Sequence, residues 1–85
     1  MAGAIYSEAQ NSIAAALTAA RLKSGLKQTE LAKSIGKHQS YISDIERGQR
    51  RVDLLEFYAL ARAMNFEPAE LYAEVTKDLP AVIQV

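Results

Sequence analysis

Cysteine is absent from this 85-residue chain. Without thiols there is no disulfide, no thiolate nucleophile and no cysteine-ligated zinc. A chain this short has little core to spare, so it must rely on helix packing, a dimer interface, or both. No apolar run approaches the length that spans a bilayer. No basic stretch precedes an apolar core at the N-terminus, so no export signal is read and a cytoplasmic location is expected. Net charge is missing too, with 10 basic residues against 10 acidic ones. That balance hides a polarity. Residues 21–51 hold eight cations and three carboxylates, +5, whereas residues 52–85 hold two cations and six carboxylates, −4. A basic middle can face phosphates while the acidic end faces away.

Proline and glycine are scarce, and they punctuate. Gly25, Gly36, Gly48, Asn65, Pro68 and Pro80 divide the chain into helical stretches. No repeat, linker or domain boundary interrupts residues 1–85, so a single all-α domain is expected. The first helix is placed at about Ser7 to Ser24, with Ser7 as N-cap and Ile13, Leu17 and Ala20 on one face. The second runs from about Gln28 to Ile35, with Leu31, Ala32 and Ile35 inward. The third covers about Gln39 to Arg47. The fourth covers about Leu54 to Met64, capped by Asp53, with a wide apolar face of Leu54, Phe57, Tyr58, Leu60, Ala61 and Met64. Asn65 suits a left-handed helix end. Pro68 opens a fifth helix to about Thr76. "LPAVIQV", residues 79–85, reads as an extended tail, because Pro80 blocks helix and Val82, Ile83 and Val85 favour strand.

The second and third helices are separated by three residues including a glycine, the spacing of a helix-turn-helix over about residues 28–47. On a helical step of about 100°, Gln39, Ser43, Arg47, Ser40 and Asp44 share one arc, and Tyr41, Ile45 and Ile42 oppose it. The polar arc carries short donors and acceptors and one arginine. Gln can pair bidentately with adenine, and Ser can donate or accept at several base edges. Short side chains let the helix lie close to those edges, and its N-terminal residues reach furthest in. Arg47, Arg50 and Arg51 follow the helix, and Lys27 and Gln28 open the preceding one, where the helix dipole favours an anion. Cations on both sides of a base-reading helix would fix its register on phosphates. A merely solvated helix face is the alternative.

"LKQTELAKSIGKHQSYISDIERGQRR" resembles the helix-turn-helix of the lambda-type phage repressor and Cro family, also called the XRE family. The resemblance spans roughly residues 17–75. Its ordered marks are Gln28, Leu31-Ala32, Ile35-Gly36, Gln39-Ser40-Tyr41-Ile42-Ser43 and Ile45-Glu46-Arg47-Gly48. It implies a compact five-helix domain that binds double-stranded DNA as a transcriptional regulator. Gln39, Ser40, Ser43 and Asp44 match base-reading positions, and Gln28 matches a residue that touches phosphate and buttresses Gln39. The expected phosphate contacts are Lys27, Gln28, Lys37, His38, Tyr41, Arg47, Arg50 and Arg51. Arg21 and Glu46 match a structural ion pair. Lys37 and His38 depart from the pattern, which holds a small aliphatic residue and a Ser or Thr cap there. Lys37 can lay its stem on apolar surface, and His38 can cap the third helix or point at the DNA backbone. Asp44 can accept from cytosine N4, pair with Arg47, or disfavour wrong sequences.

One such helix reads only a few base pairs, so a homodimer on a palindromic operator, half-sites about one turn apart, is expected. Leu55, Phe66, Leu71, Tyr72, Val75, Val82 and Ile83 are the candidate dimer residues, with core closure as the bland alternative. The tail can pair across the dimer or fold back as an arm. No cofactor or metal is expected: the lone His38 has no ligand partners. No enzyme is expected either, because Ser40, His38 and Asp44 cannot form a nucleophile–base chain on one helix. The remaining rival is a protein-interaction module that keeps the fold without DNA. Three settings fit a regulator without an inducer domain: a phage-type repressor, a restriction–modification controller, and an antitoxin that meets its toxin through the acidic helices or the tail.

Overall fold

A computed structural model describes residues 2–85, with side chains from residue 8 onward. It contains α1 (Ala2–Lys23), α2 (Gln28–Ser34), α3 (Gln39–Glu46), α4 (Leu54–Ala63) and α5 (Pro68–Thr76). Among the described residues there is no strand, and no helix is long and apolar enough to cross a membrane.

The helix boundaries follow from local chemistry. Asp53 accepts from the Glu56 N–H at 2.7 Å while its own N–H donates to Glu56 Oε1 at 3.0 Å, a reciprocal cap that starts α4. Glu67 accepts from the Glu70 N–H at 3.1 Å, and Pro68 occupies the first turn of α5. Asn65 adopts the left-handed conformation that ends α4, with φ of 64°. The start of α1 differs from expectation. Its alanine-rich sequence carries the helix back to Ala2, so Ser7 lies inside it and not at its start; the Ser7 side chain is outside the described residues.

Leu17, Ala20, Leu31, Ala32, Ile42, Ile45, Leu60, Ala61, Met64, Leu71 and Val75 form the core, and Ile13, Phe57 and Phe66 pack against it. Two expected dimer residues belong here instead. Leu71 is 1% exposed and Val75 4%, so both close the protomer's own core. They lie four residues apart on the inner face of α5, while Tyr72 points outward. Leu54, Leu55 and Tyr58 are exposed, narrowing the buried face of α4 to Leu60, Ala61 and Met64 with Phe57 half-buried. Phe57 and Tyr72 meet edge to face, centroids 6.1 Å apart, and tie α4 to α5. The tail folds back as an arm. Leu79 and Ile83 are half-buried along a groove of about 290 Å³ shared with α1, α4 and α5, whereas Val82 faces solvent.

Candidate nucleic-acid interface

α3 is held by its inner face and presents its outer one. Tyr41, Ile42 and Ile45 are buried; Gln39, Ser40 and Arg47 are exposed, and Ser43 and Asp44 half-exposed. This is the arc expected from the helical step. His38 caps the helix: its Nδ1 accepts from the Ser40 N–H at 3.3 Å and lies 3.1 Å from Ser40 Oγ, which requires the neutral ring with the proton on Nε2. Ser43 Oγ donates to the Ser40 carbonyl at 3.2 Å. Asp44 is paired with Arg47 one turn on, so its charge is countered on the exposed face.

A chain of side-chain hydrogen bonds runs from α1 to the tip of α3. Arg21 Nε and Nη2 donate to Glu46 Oε2 and Oε1 at 2.6 and 3.0 Å, a two-pronged pair with side chains only 11% and 9% exposed. Arg21 Nη1 also donates to the Leu26 carbonyl at 2.9 Å, fixing the α1–α2 turn. The hydrogen bond to Glu46 raises the Arg21 pKa above its ordinary value. Gln28 Nε2 donates to the same Glu46 Oε1 at 2.9 Å, and Gln39 Nε2 donates to Gln28 Oε1 at 2.7 Å. Because Glu46 fixes which end of the Gln28 amide is oxygen, Gln28 in turn orients Gln39. The Gln39 carbonyl oxygen and its second N–H stay available at the exposed helix start.

The cations flank this helix on structured supports. Arg50 Nη2 donates to Glu56 Oε2 at 2.7 Å, and its guanidinium lies 4.8 Å from the Tyr41 ring centroid. The Lys37 ammonium lies 5.2 Å from the same centroid, so the Tyr41 ring carries a second cation. The hydrogen bond with Glu56 raises the Arg50 pKa above its ordinary value. Glu56 is held below the usual carboxylate range, first by the Asp53 backbone N–H and then by Arg50.

Tyr41 departs from its expected role. Its hydroxyl is buried beside Glu56 and Arg50, and burial, reinforced by the charge of Glu56, pushes its pKa up to about 12. A buried hydroxyl beneath two cations cannot reach a phosphate, so Tyr41 is a platform for Lys37 and Arg50. The expected dimer residues also separate on inspection: Leu55 and Tyr72 are exposed, Phe66 is half-buried against the core, and Leu71 and Val75 are inside. One element was not read from the sequence at all. Gln10 Nε2, on α1, donates to the Gly48 carbonyl at 2.9 Å across 38 positions; no local pattern marks such a long-range contact.

A short helix packed across another, with a polar arc outward and cations at both ends, defines a helix-turn-helix DNA-binding domain. A helix-turn-helix family model matches residues 17–71, and the chain belongs to this XRE-type family of DNA-binding transcriptional regulators. It is 41% identical over 49 residues to the control protein C.BamHI of Bacillus amyloliquefaciens, 58% of this chain and 60% of that protein's length. Among solved structures, it resembles the restriction–modification controller protein C.AhdI of Aeromonas hydrophila. That match has a TM-score of 0.72 and 36% identity, over 78% of this chain and 96% of the other. An XRE-family-like protein from Pseudomonas syringae pv. tomato superposes with a TM-score of 0.79 at 29% identity, over 92% and 95% of the two chains. The family is a regulator type, not an enzyme family.

Proposed function

We propose that the chain binds a specific double-stranded DNA operator as a two-fold dimer, with α3 in the major groove, and regulates transcription as a controller or repressor. The observation that carries this is the relay from Arg21 through Glu46 and Gln28 to Gln39. It holds one amide, with free donor and acceptor, at the exposed start of the helix that enters the groove in this docking mode. Gln39 and Ser40 read bases, and Ser43 and Asp44 read bases or backbone one turn further on. Gln28, Lys27, Lys37, His38, Arg47, Arg50 and Arg51 meet phosphates and set the register. Arg50 keeps further N–H donors for a phosphate beyond the one that Glu56 accepts.

Dimerisation uses the exposed apolar side chains of Leu54, Leu55, Tyr58 and Tyr72, with exposed Val82 of the tail as a further contact. Exposed large side chains gathered on two adjacent helices favour a protein surface over a solvated one. The likeness to C.AhdI, named as a restriction–modification controller, and to the control protein C.BamHI favours that setting over a phage repressor or an antitoxin. The test is selection from a random duplex pool at near-physiological salt, with sequencing of the bound fraction. The reading predicts an enriched inverted repeat with half-site centres about one turn, ~34 Å, apart. No enrichment, with no binding at low salt, would favour a protein-interaction module instead.

A further inference from the structure

The loop that follows α3 carries Arg50 and Arg51; its first residue, Gly48, donates its N–H to the Ile45 carbonyl of α3 at 3.0 Å, but no donor of α3 meets its carbonyl. Gly48 has a φ of 74° and lies beyond the last turn of α3, with the Gln49 N–H donating to the Asp44 carbonyl at 2.9 Å. That bond satisfies a carbonyl of the helix and leaves the Gly48 carbonyl itself without a partner from α3. The partner comes from α1: Gln10 Nε2 donates to it at 2.9 Å. Asn11 stands beside it, and a Cβ on Gly48 would collide with the Asn11 amide oxygen. Gln10 and Asn11 precede residue 17, where the family match begins. Beyond its two backbone bonds to α3, the loop is thus held at the Gly48 carbonyl by α1 and at Arg50 by Glu56 of α4.

We infer that Gln10 is a positioning residue for DNA binding: it clamps the Gly48 carbonyl and so sets where Arg50 and Arg51 meet the phosphate backbone. This rests on the proposed assignment of those arginines. A pre-set loop meets phosphate without first being ordered, and ordering costs affinity at the moment of binding. Gln10 touches no DNA in this account. Its effect runs entirely through the arginines, and it is blind to base sequence because phosphate contacts carry none. Glycine suits position 48, where the left-handed backbone strains most side chains and a Cβ would displace the Asn11 amide.

The test is a double-mutant cycle on the full chain, with fluorescent duplexes carrying the selected operator or a scrambled sequence. Gln10→Ala is expected to weaken both duplexes by about three- to tenfold, the range for one lost neutral hydrogen bond. In the background Arg50→Ala/Arg51→Ala, adding Gln10→Ala should change neither affinity, because the groups it positions are gone. Equal losses in the two backgrounds, a loss confined to the operator, or no loss in the parent background would each overturn the inference. Backbone 15N relaxation on the DNA-free chain supplies a second readout. Gln10→Ala should make residues 48–51 mobile on the ps–ns scale while α2 and α3 stay rigid. An equally rigid loop would overturn the clamp. A parent chain that binds no duplex would sink the proposed function itself, and the relaxation result would still decide whether Gln10 holds the loop.

Discussion

Gln28 Oε1 accepts a 2.7 Å hydrogen bond from Gln39 Nε2, and Gln28 is itself held by Glu46. The amide at the tip of α3 is thus oriented by α2 before any DNA arrives. Gln28→Ala is expected to cost about 1 kcal/mol on the operator, the usual worth of one such bond, and less on scrambled duplex. The two losses should overlap: Gln28→Ala combined with Gln39→Ala should fall short of the sum, because both remove one oriented group. Equilibrium binding of the four proteins to both duplexes checks this.

The Arg21–Glu46 pair is nearly out of solvent, and two helices depend on it. Glu46→Ala leaves the Arg21 guanidinium and the Gln28 amide without their acceptor. Removing one partner of a buried pair costs roughly 3–5 kcal/mol, a large share of the stability of so small a domain. Urea unfolding followed by circular dichroism should show that loss, and a change below 1 kcal/mol would mean the pair behaves as a surface one.

Leu71 and Tyr72 are sequence neighbours with opposite assignments. Leu71→Ala opens a cavity in the core and is expected to cost about 2–5 kcal/mol of folding stability. Tyr72→Ala removes a half-exposed ring and should weaken self-association, read by analytical ultracentrifugation, while the unfolding of dilute protein loses only the edge-to-face contact with Phe57, about 0.5–1.5 kcal/mol. A Tyr72→Ala chain that associates as the parent does would remove this surface from the dimer.

Glu56 carries a pH signature. The Asp53 backbone N–H and then Arg50 hold its folded pKa below the ordinary value of 4.5. A depressed carboxylate stabilises the fold above its unfolded pKa and loses that contribution as the pH falls through the folded one. The melting-temperature gap between the parent and Glu56→Gln should therefore be full above pH 4.5 and close as the solution is made more acidic. Melting curves from neutral pH into the acid range test the sign.

Much of this was legible in the sequence because it is local. The turn residues Gly36, Gly48 and Asn65, the cap Asp53 and the first-turn Pro68 act within a few positions, and the structure places the boundaries of α2 to α5 within a residue or so of the expected ones. The Arg21–Glu46 pair and the Gln28 buttress were implied by the family resemblance and are found in place. The errors are non-local. Helical periodicity puts Leu71, Tyr72 and Val75 on an apolar helix but cannot tell a core face from a partner face. Tyr41 looks like a phosphate ligand until α4 brings Glu56 and the chain brings Arg50 over its ring. The Gln10 bond to Gly48 joins positions 38 apart, where no spacing rule reaches. Ser7 resembles a cap in the sequence, but alanine propensity extends α1 past it to Ala2.

The central claim is that α3 reads bases through Gln39. The most direct measurement is the affinity of the parent and Gln39→Ala for the selected operator and for each single-base variant of one half-site. The account predicts that the parent loses about 1–3 kcal/mol on substitutions at one position, and that Gln39→Ala no longer distinguishes bases there while retaining discrimination elsewhere. If Gln39→Ala instead weakens every duplex equally and keeps the full base preference of the parent, α3 does not read the operator through this residue.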